Sequence, residues 1–184
     1  MHLENTQIIK NTQDWLEKAV IGLNLCPFAK AVHVKQQIRY VVSHAKTEAA
    51  LLDDLLQELD FLITTSPDEV DTTLLIHPWV LMDFLDYNDF LDVADGAAAE
   101  PEFNDALQIA SFHPHYQFAD TDIDDIANYT NRSPYPMLHL LREDSIDRAV
   151  AAFPAADEIY EKNMQTLREL GHDGWLRLMK QADA

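Results

Sequence analysis

A chain of 184 residues with 47% hydrophobic side chains and a mean hydropathy of -0.22 is sized for one soluble domain, residues 1–184, with enough core to need no staples. Its 32 acidic residues against 13 basic ones give a formal charge of -19, which argues against nucleic acids and anionic membranes as partners, because both are held through positive charge. The lone Cys26 excludes an internal disulfide and a cysteine-rich zinc knuckle, and with no signal-peptide core and no apolar run near the roughly 18 residues of a membrane helix, the expected location is the cytoplasm.

The charge is unevenly spread. No Lys or Arg occurs between Lys46 and Arg132, and the 85 residues of that gap carry 20 Asp and Glu. Solubility and repulsion between copies are the plain reading of such a surface.

The first predicted element is a helix over 6–22, from the helical spacing of Ile8, Trp15, Leu16, Ala19 and Val20, with Gly22 as its stop. Pro27 then holds Cys26 in extended or turn geometry. Ile38 to His44 reads as a strand, and 47–62 as a helix with a leucine stripe. A second strand runs from Thr72 to His77 and stops at Pro78. Helical spacing returns over 79–93, and 95–106 reads as a loop or a frayed helix end. Leu107 to His113 is the third strand, closed by Pro114. Thr121 and Asp124 resemble a capping pair for a short helix reaching about Tyr129. Asn131 to Pro136 is a turn fixed by two prolines, and Met137 to Arg142 is the fourth strand. Ser145 is placed to cap a short helix, and 157–170 forms a last one that stops at Gly171. Strands alternating with helices imply an α/β fold: one four-stranded sheet, parallel or mixed, flanked by helices. A ferredoxin-like α+β arrangement is the alternative.

The chemistry concentrates between Ser111 and Glu143, which holds three of the eight histidines and ends the basic gap. Long polar connections inside compact domains are often functional. His77 and His113 each end an apolar strand and precede a proline, where α/β sheets gather ligands. With His139 they would leave a fourth position open, which suits a divalent metal, although no HxH or HExxH pair fixes the spacing. Hydrogen-bonded structural histidines are the plainer account. His113, His115, Cys26 and Tyr116 are the catalytic candidates, and Glu143 is a candidate base. The Cys26-Pro27 pair resembles a regulatory haem motif on very little sequence, and burial of a small apolar side chain is the simpler reading. Arg132 and Arg142, with Ser133 and Tyr135, form a candidate site for a small anionic metabolite, because an arginine fork grips carboxylate or phosphate at two points. Local pairing with Glu143, Asp144, Asp124 or Asp125 is the competing account.

The strings VIGLNLCPFAK, TTLLIHP, DFLDYNDFL, QIASFHPHYQFA and NYTNRSPYPMLHLLRE together resemble a bacterial family of uncharacterised proteins, a domain of unknown function, from about Ile8 to Gly171. The resemblance implies a soluble single-domain protein and supplies no activity, cofactor or catalytic residue. Two functions follow from the residues themselves. One is an enzyme acting on a small anionic metabolite through a His/Arg/Cys pocket, with metal assistance where the histidines converge. The other is a non-enzymatic binding or adaptor protein whose acidic face meets a basic partner. Convergence or scatter of His113, Arg132 and Cys26 separates the two. The oligomeric state is not legible in the sequence.

Overall fold

Four runs rich in β-branched and apolar residues pair into one sheet, with helices between the strands packed on one face and the N- and C-terminal helices on the other. A computed structural model describes residues 4–153 and 158–180. The strands are β1 (Ile38–Val42), β2 (Thr72–Ile76), β3 (Leu107–Phe112) and β4 (Met137–Arg142), in spatial order β1-β2-β4-β3. β1 and β2 are parallel, and β4 is antiparallel to both β2 and β3. The sheet is therefore mixed, with β1, β2 and β3 running one way and β4 inserted against them. A ferredoxin-like sheet has no such parallel set.

The helices are α1 (Asn5–Trp15), α2 (Ala29–Val34), α3 (Glu48–Thr64), α4 (Phe84–Ala98), α5 (Glu143–Ala152) and α6 (Ile159–Lys180). Alternation along the strands splits the core in two. On one face Leu75, Leu138 and Leu140 meet α3 and α4 through Leu51, Leu55, Leu59, Leu62, Phe90 and Ala94. Each of the four α3 leucines is fully buried, worth roughly 2 kcal/mol apiece in transfer from water. On the other face Leu74, Ile76 and Met137 meet Ile8, Trp15 and Leu16 of the N-terminal helical segment and Leu167 and Trp175 of α6.

Several boundaries depart from the sequence pattern, each for a local reason. The predicted helix over 6–22 changes winding at its end, becoming a π-helix over Leu16–Ile21. Gly22 follows it as the C-cap, at a position that only glycine fits because a Cβ there would run into the Lys18 carbonyl. α4 starts at Phe84, not 79, because Asp83 caps it: its carboxylate accepts from the Leu85 and Asp86 N–H groups. α4 also continues to Ala98, through the start of the segment expected to fray. The short helix expected from Thr121 is a 3-10 turn over Ile126–Thr130, capped by Asp125. Ser145 lies inside α5 and donates to Asp71. Gly171, at φ 65° and ψ 173°, leaves helical geometry, so the first part of α6 stops there as expected and a second helical part follows to Lys180; Asp157 lies outside the described residues.

One side chain ties α4 into the sheet. The buried Tyr87 hydroxyl donates to the Met137 carbonyl at 2.9 Å and accepts from the Phe112 N–H at 3.1 Å. It sits where β3 and β4 would otherwise bond directly. Tyr87→Phe is expected to cost about 2 kcal/mol, since it leaves a backbone donor and acceptor short of a partner. Urea unfolding with an unchanged m-value would measure it.

Candidate functional site

Because β4 is the inverted strand, β1, β2 and β3 end at the same edge of the sheet, and each is followed by a histidine: His44, His77 and His113. His44 is exposed, stacks on Trp79 at 4.8 Å between ring centroids, and meets the Asn5 amide at 3.0 Å. His77 and His113 are both 0% exposed. They are not on neighbouring strands, as β4 lies between, and Tyr87 bridges them. Its ring stacks on His77 at 5.8 Å and tilts against His113 at 5.0 Å. Phe84 and Tyr116 extend this aromatic group, with Phe84 5.4 Å from His113 and 5.2 Å from Tyr116.

Both buried imidazoles hold the loop 78–83. Nδ1–H of His77 donates to the Val80 carbonyl at 3.0 Å, and Nε2–H of His113 donates to the Leu81 carbonyl at 3.1 Å. Leu81 has φ 57°, a left-handed conformation that is costly for a branched side chain. The loop's carbonyls are thus turned inward toward the rings. His113 Nδ1 accepts from the His115 backbone N–H at 3.0 Å, which leaves His113 fully bonded as a neutral ring. His77 Nε2 is buried and, among the described residues, has no hydrogen-bond partner. Burial pushes both rings down from 6.5 to about 4.

His139 faces the other way. Its strand alternation puts it with Met137 on the α1 and α6 face, where Nε2 lies 2.7 Å from the Thr72 hydroxyl. Thr72 passes its own proton to the Leu140 carbonyl, so His139 donates to it. Burial lowers this ring to about 4 as well. His77, His113 and His139 are therefore not brought together. Among the described residues no group of three His, Cys, Asp or Glu side chains is arranged to hold a metal ion.

Of the remaining candidates, Arg132 lies beside His113, whose backbone N–H donates to the Asn131 carbonyl at 3.2 Å and whose carbonyl accepts from the Ser133 N–H at 3.4 Å, while Cys26 is set apart. Cys26 packs at the edge of the α1 and α6 cluster. Burial pushes its thiol up, against a smaller lowering from the Phe28 and Ala29 backbone, so the thiolate needed for nucleophilic or ligand chemistry is disfavoured. Arg132 donates to the Tyr116 carbonyl at 3.1 Å and the Ile123 carbonyl at 2.6 Å, with its guanidinium 4.6 Å above the Tyr129 ring. Arg142 reaches the end of α3, where one nitrogen lies 2.6, 2.7 and 2.9 Å from the carbonyls of Leu62, Thr65 and Val70. Neither arginine pairs with the acids expected of it. Both bind backbone carbonyls. The Ser133 hydroxyl donates to the Tyr135 carbonyl, and the Tyr135 hydroxyl accepts from Asn11. His115 is exposed, with its ring 5.9 Å from His113. Glu143 follows β4 at the opposite end of the strand from His113.

What reading single residues missed is a cleft of about 660 Å³ beside β3. Asp95 and Ala98 of α4, Asp105, Leu107, Gln108 and Ile109 line it, with Glu143 and Asp147 of α5. Its wall carries four carboxylates and no Lys or Arg. The 85-residue gap in basic residues was the signal for its Asp95 and Asp105 wall, whereas Glu143 and Asp147 lie beyond that gap. Desolvation raises the Asp95 carboxyl, with its helix neighbour Asp92 adding to the rise.

No curated protein and no solved structure matches the chain. A family model spans residues 7–177, nearly the whole described fold, and on that match the chain belongs to the family described as Protein of unknown function (DUF1415).

Proposed function

We propose that this protein acts by binding, and that its partner is a basic protein segment. The observation that carries this is the cleft beside β3, walled by Asp95, Asp105, Glu143 and Asp147 with no cation among its lining residues. Asp86, Asp89 and Asp92 continue the charge along the exposed side of α4. Cys26 and His139 lie on the other face of the sheet from His77 and His113, so the full His/Arg/Cys set does not meet at one point as catalytic groups must, which supports the same reading. No helix among the described residues is long and apolar enough to cross a membrane. The cytoplasm is the compartment this reading assigns.

Binding of the full chain to a lysine-rich peptide, a glutamate-rich peptide and random duplex DNA, each at low and high salt, tests it. The lysine peptide should bind and weaken as salt screens the charges, while DNA and anionic vesicles should not bind. Equal affinity for both peptides, or a DNA complex that weakens steeply with salt, would overturn it.

One atom favours a second reading, an enzyme for a small anionic metabolite at the histidine edge. His77 Nε2 is a buried acceptor without a partner among the described residues, and such a group calls for an explanation by water, ion or ligand. A divalent metal or a ligand hydrogen-bond donor at that nitrogen is the form this reading takes. Metal analysis of protein purified without chelator, then a thermal-shift screen of metabolites on the wild type and His77→Asn, would decide it. A stabilising metabolite whose effect vanishes in the variant supports the enzyme reading.

A further inference from the structure

β3 is an edge strand, and the edge it exposes runs along the acidic cleft. In its antiparallel pairing with β4, Ala106, Gln108 and Ala110 turn their backbone groups toward β4, as the Glu143 N–H to Ala106 carbonyl bond shows. Leu107, Ile109 and Ser111 turn theirs outward. The Leu107 N–H is taken by the Phe103 carbonyl, and the Ser111 carbonyl by the Asn131 side chain. Between those two bonds, the Leu107 carbonyl, both groups of Ile109 and the Ser111 N–H have no hydrogen-bond partner among the described residues. That leaves a window about five residues long, roughly 16 Å at strand rise.

We infer that this window receives an extended, lysine- or arginine-bearing protein segment, which adds to the sheet as a fifth strand beside β3. The inference rests on the reading of the protein as a binder of basic partners. Backbone bonds to Leu107, Ile109 and Ser111 would set the register. Cationic side chains of the segment would meet Asp95, Asp105, Glu143 and Asp147, which have no ion-pair partner among the described residues. The position also gains from α4, which ends here at Ala98 with no basic residue in its last turn, so its negative dipole end is uncompensated.

The other edge strand does not offer the same thing. The groove of about 500 Å³ beside β1 has Asp54 and Glu58 in its wall, but the Ser43 hydroxyl donates to Asp54 and Arg39 holds Glu58 through two bonds, at 2.8 and 3.1 Å. Glu58 is thus already ion-paired and Asp54 already hydrogen-bonded within the fold. Natural edges are commonly blunted by lysine or covered. β3 has no lysine at all.

The test uses the intact protein and a short peptide alternating lysine and threonine, in plain form and with alternate backbone nitrogens methylated. Methylation removes strand hydrogen bonds and leaves charge unchanged. The plain peptide should bind, methylation should weaken it at least tenfold, and hydrogen exchange at Ile109 and Ser111 should slow in the complex. Asp105→Asn with Asp147→Asn should weaken the plain peptide several-fold. If methylation changes nothing while salt and charge still matter, strand addition is overturned and the basic-partner reading stands. If neither peptide binds, both fall.

Discussion

Arg142→Met is expected to lower stability by about 3 kcal/mol, one of the two largest effects in the molecule. The guanidinium leaves β4 and reaches the far end of α3, where the carbonyls of Leu62, Thr65 and Val70 converge on one nitrogen. α3 has no basic residue in its last turn, so Arg142 supplies the positive charge that its dipole end favours. Hydrogen bonds to charged groups contribute roughly 1.5–3 kcal/mol each, and here one nitrogen shares two hydrogens among three acceptors. The methionine keeps the apolar stem and removes only the polar head. Arg142→Lys should recover less than half of the loss, because an ammonium lacks the planar reach of the fork. Arg132→Met should cost well under half as much, since that residue has two carbonyl bonds and a ring contact in a more exposed loop. A loss at Arg142 no larger than at Arg132, by urea unfolding, would show that α3 does not depend on this bond.

Acid should unfold the protein, with His77 and His113 as the main cause. Both rings titrate at about 4 when folded and near 6.5 when unfolded. Between those values the unfolded chain binds more protons, so stability falls as pH falls. The penalty begins near pH 6.5 and is complete below about 4. It amounts to about 3 kcal/mol per ring at 1.36 kcal/mol per pKa unit, against a typical total of 5–15 kcal/mol. The geometry agrees with the sign. A second proton on His113 would fall on Nδ1, against the His115 N–H, and one on His77 would fall on the buried, partnerless Nε2. His139, also lowered to about 4 by burial, acts in the same direction. Protonation of surface carboxylates relieves the charge of -19 and works the other way, so variants are needed to isolate the rings. His77→Asn and His113→Gln each keep a donor for the loop carbonyl. In each, proton uptake on unfolding near pH 5 should drop by about one. An unchanged slope of stability with pH would assign the effect to other groups.

The strands were legible because β-branched residues, a proline or a turn bounded each of them, as at Ile76-His77-Pro78. The leucine stripe of α3 was equally plain. What stayed hidden depended on pairings between distant parts of the chain. The insertion of β4 between β2 and β3 could not be read, so neither could the separation of His139 from His77 and His113. The region from Trp79 to Asp83 carries helical spacing through Val80, yet the buried rings of His77 and His113 hold its carbonyls and Leu81 turns left-handed. The two arginines stood out correctly as exceptions in an acidic stretch. Sequence could pair them only with other side chains, whereas the fold offers them carbonyl oxygens at helix and loop ends. Arg142 illustrates this most clearly, since its partners lie more than 70 positions upstream.

The hydroxyl of Tyr87 between β3 and β4 has a consequence for how the molecule opens. Strand ends usually fray first, and the Phe112 amide lies at such an end. Its proton, however, is held by a phenol whose ring is packed between His77 and His113. The end of β3 cannot peel from β4 unless α4 also withdraws from the sheet. Exchange of the Phe112 amide should therefore follow opening of the whole α4 layer and be as slow as the core of β4. The opposite end of β3, near Leu107, is tied by the Glu143 N–H to Ala106 carbonyl bond and should open on its own.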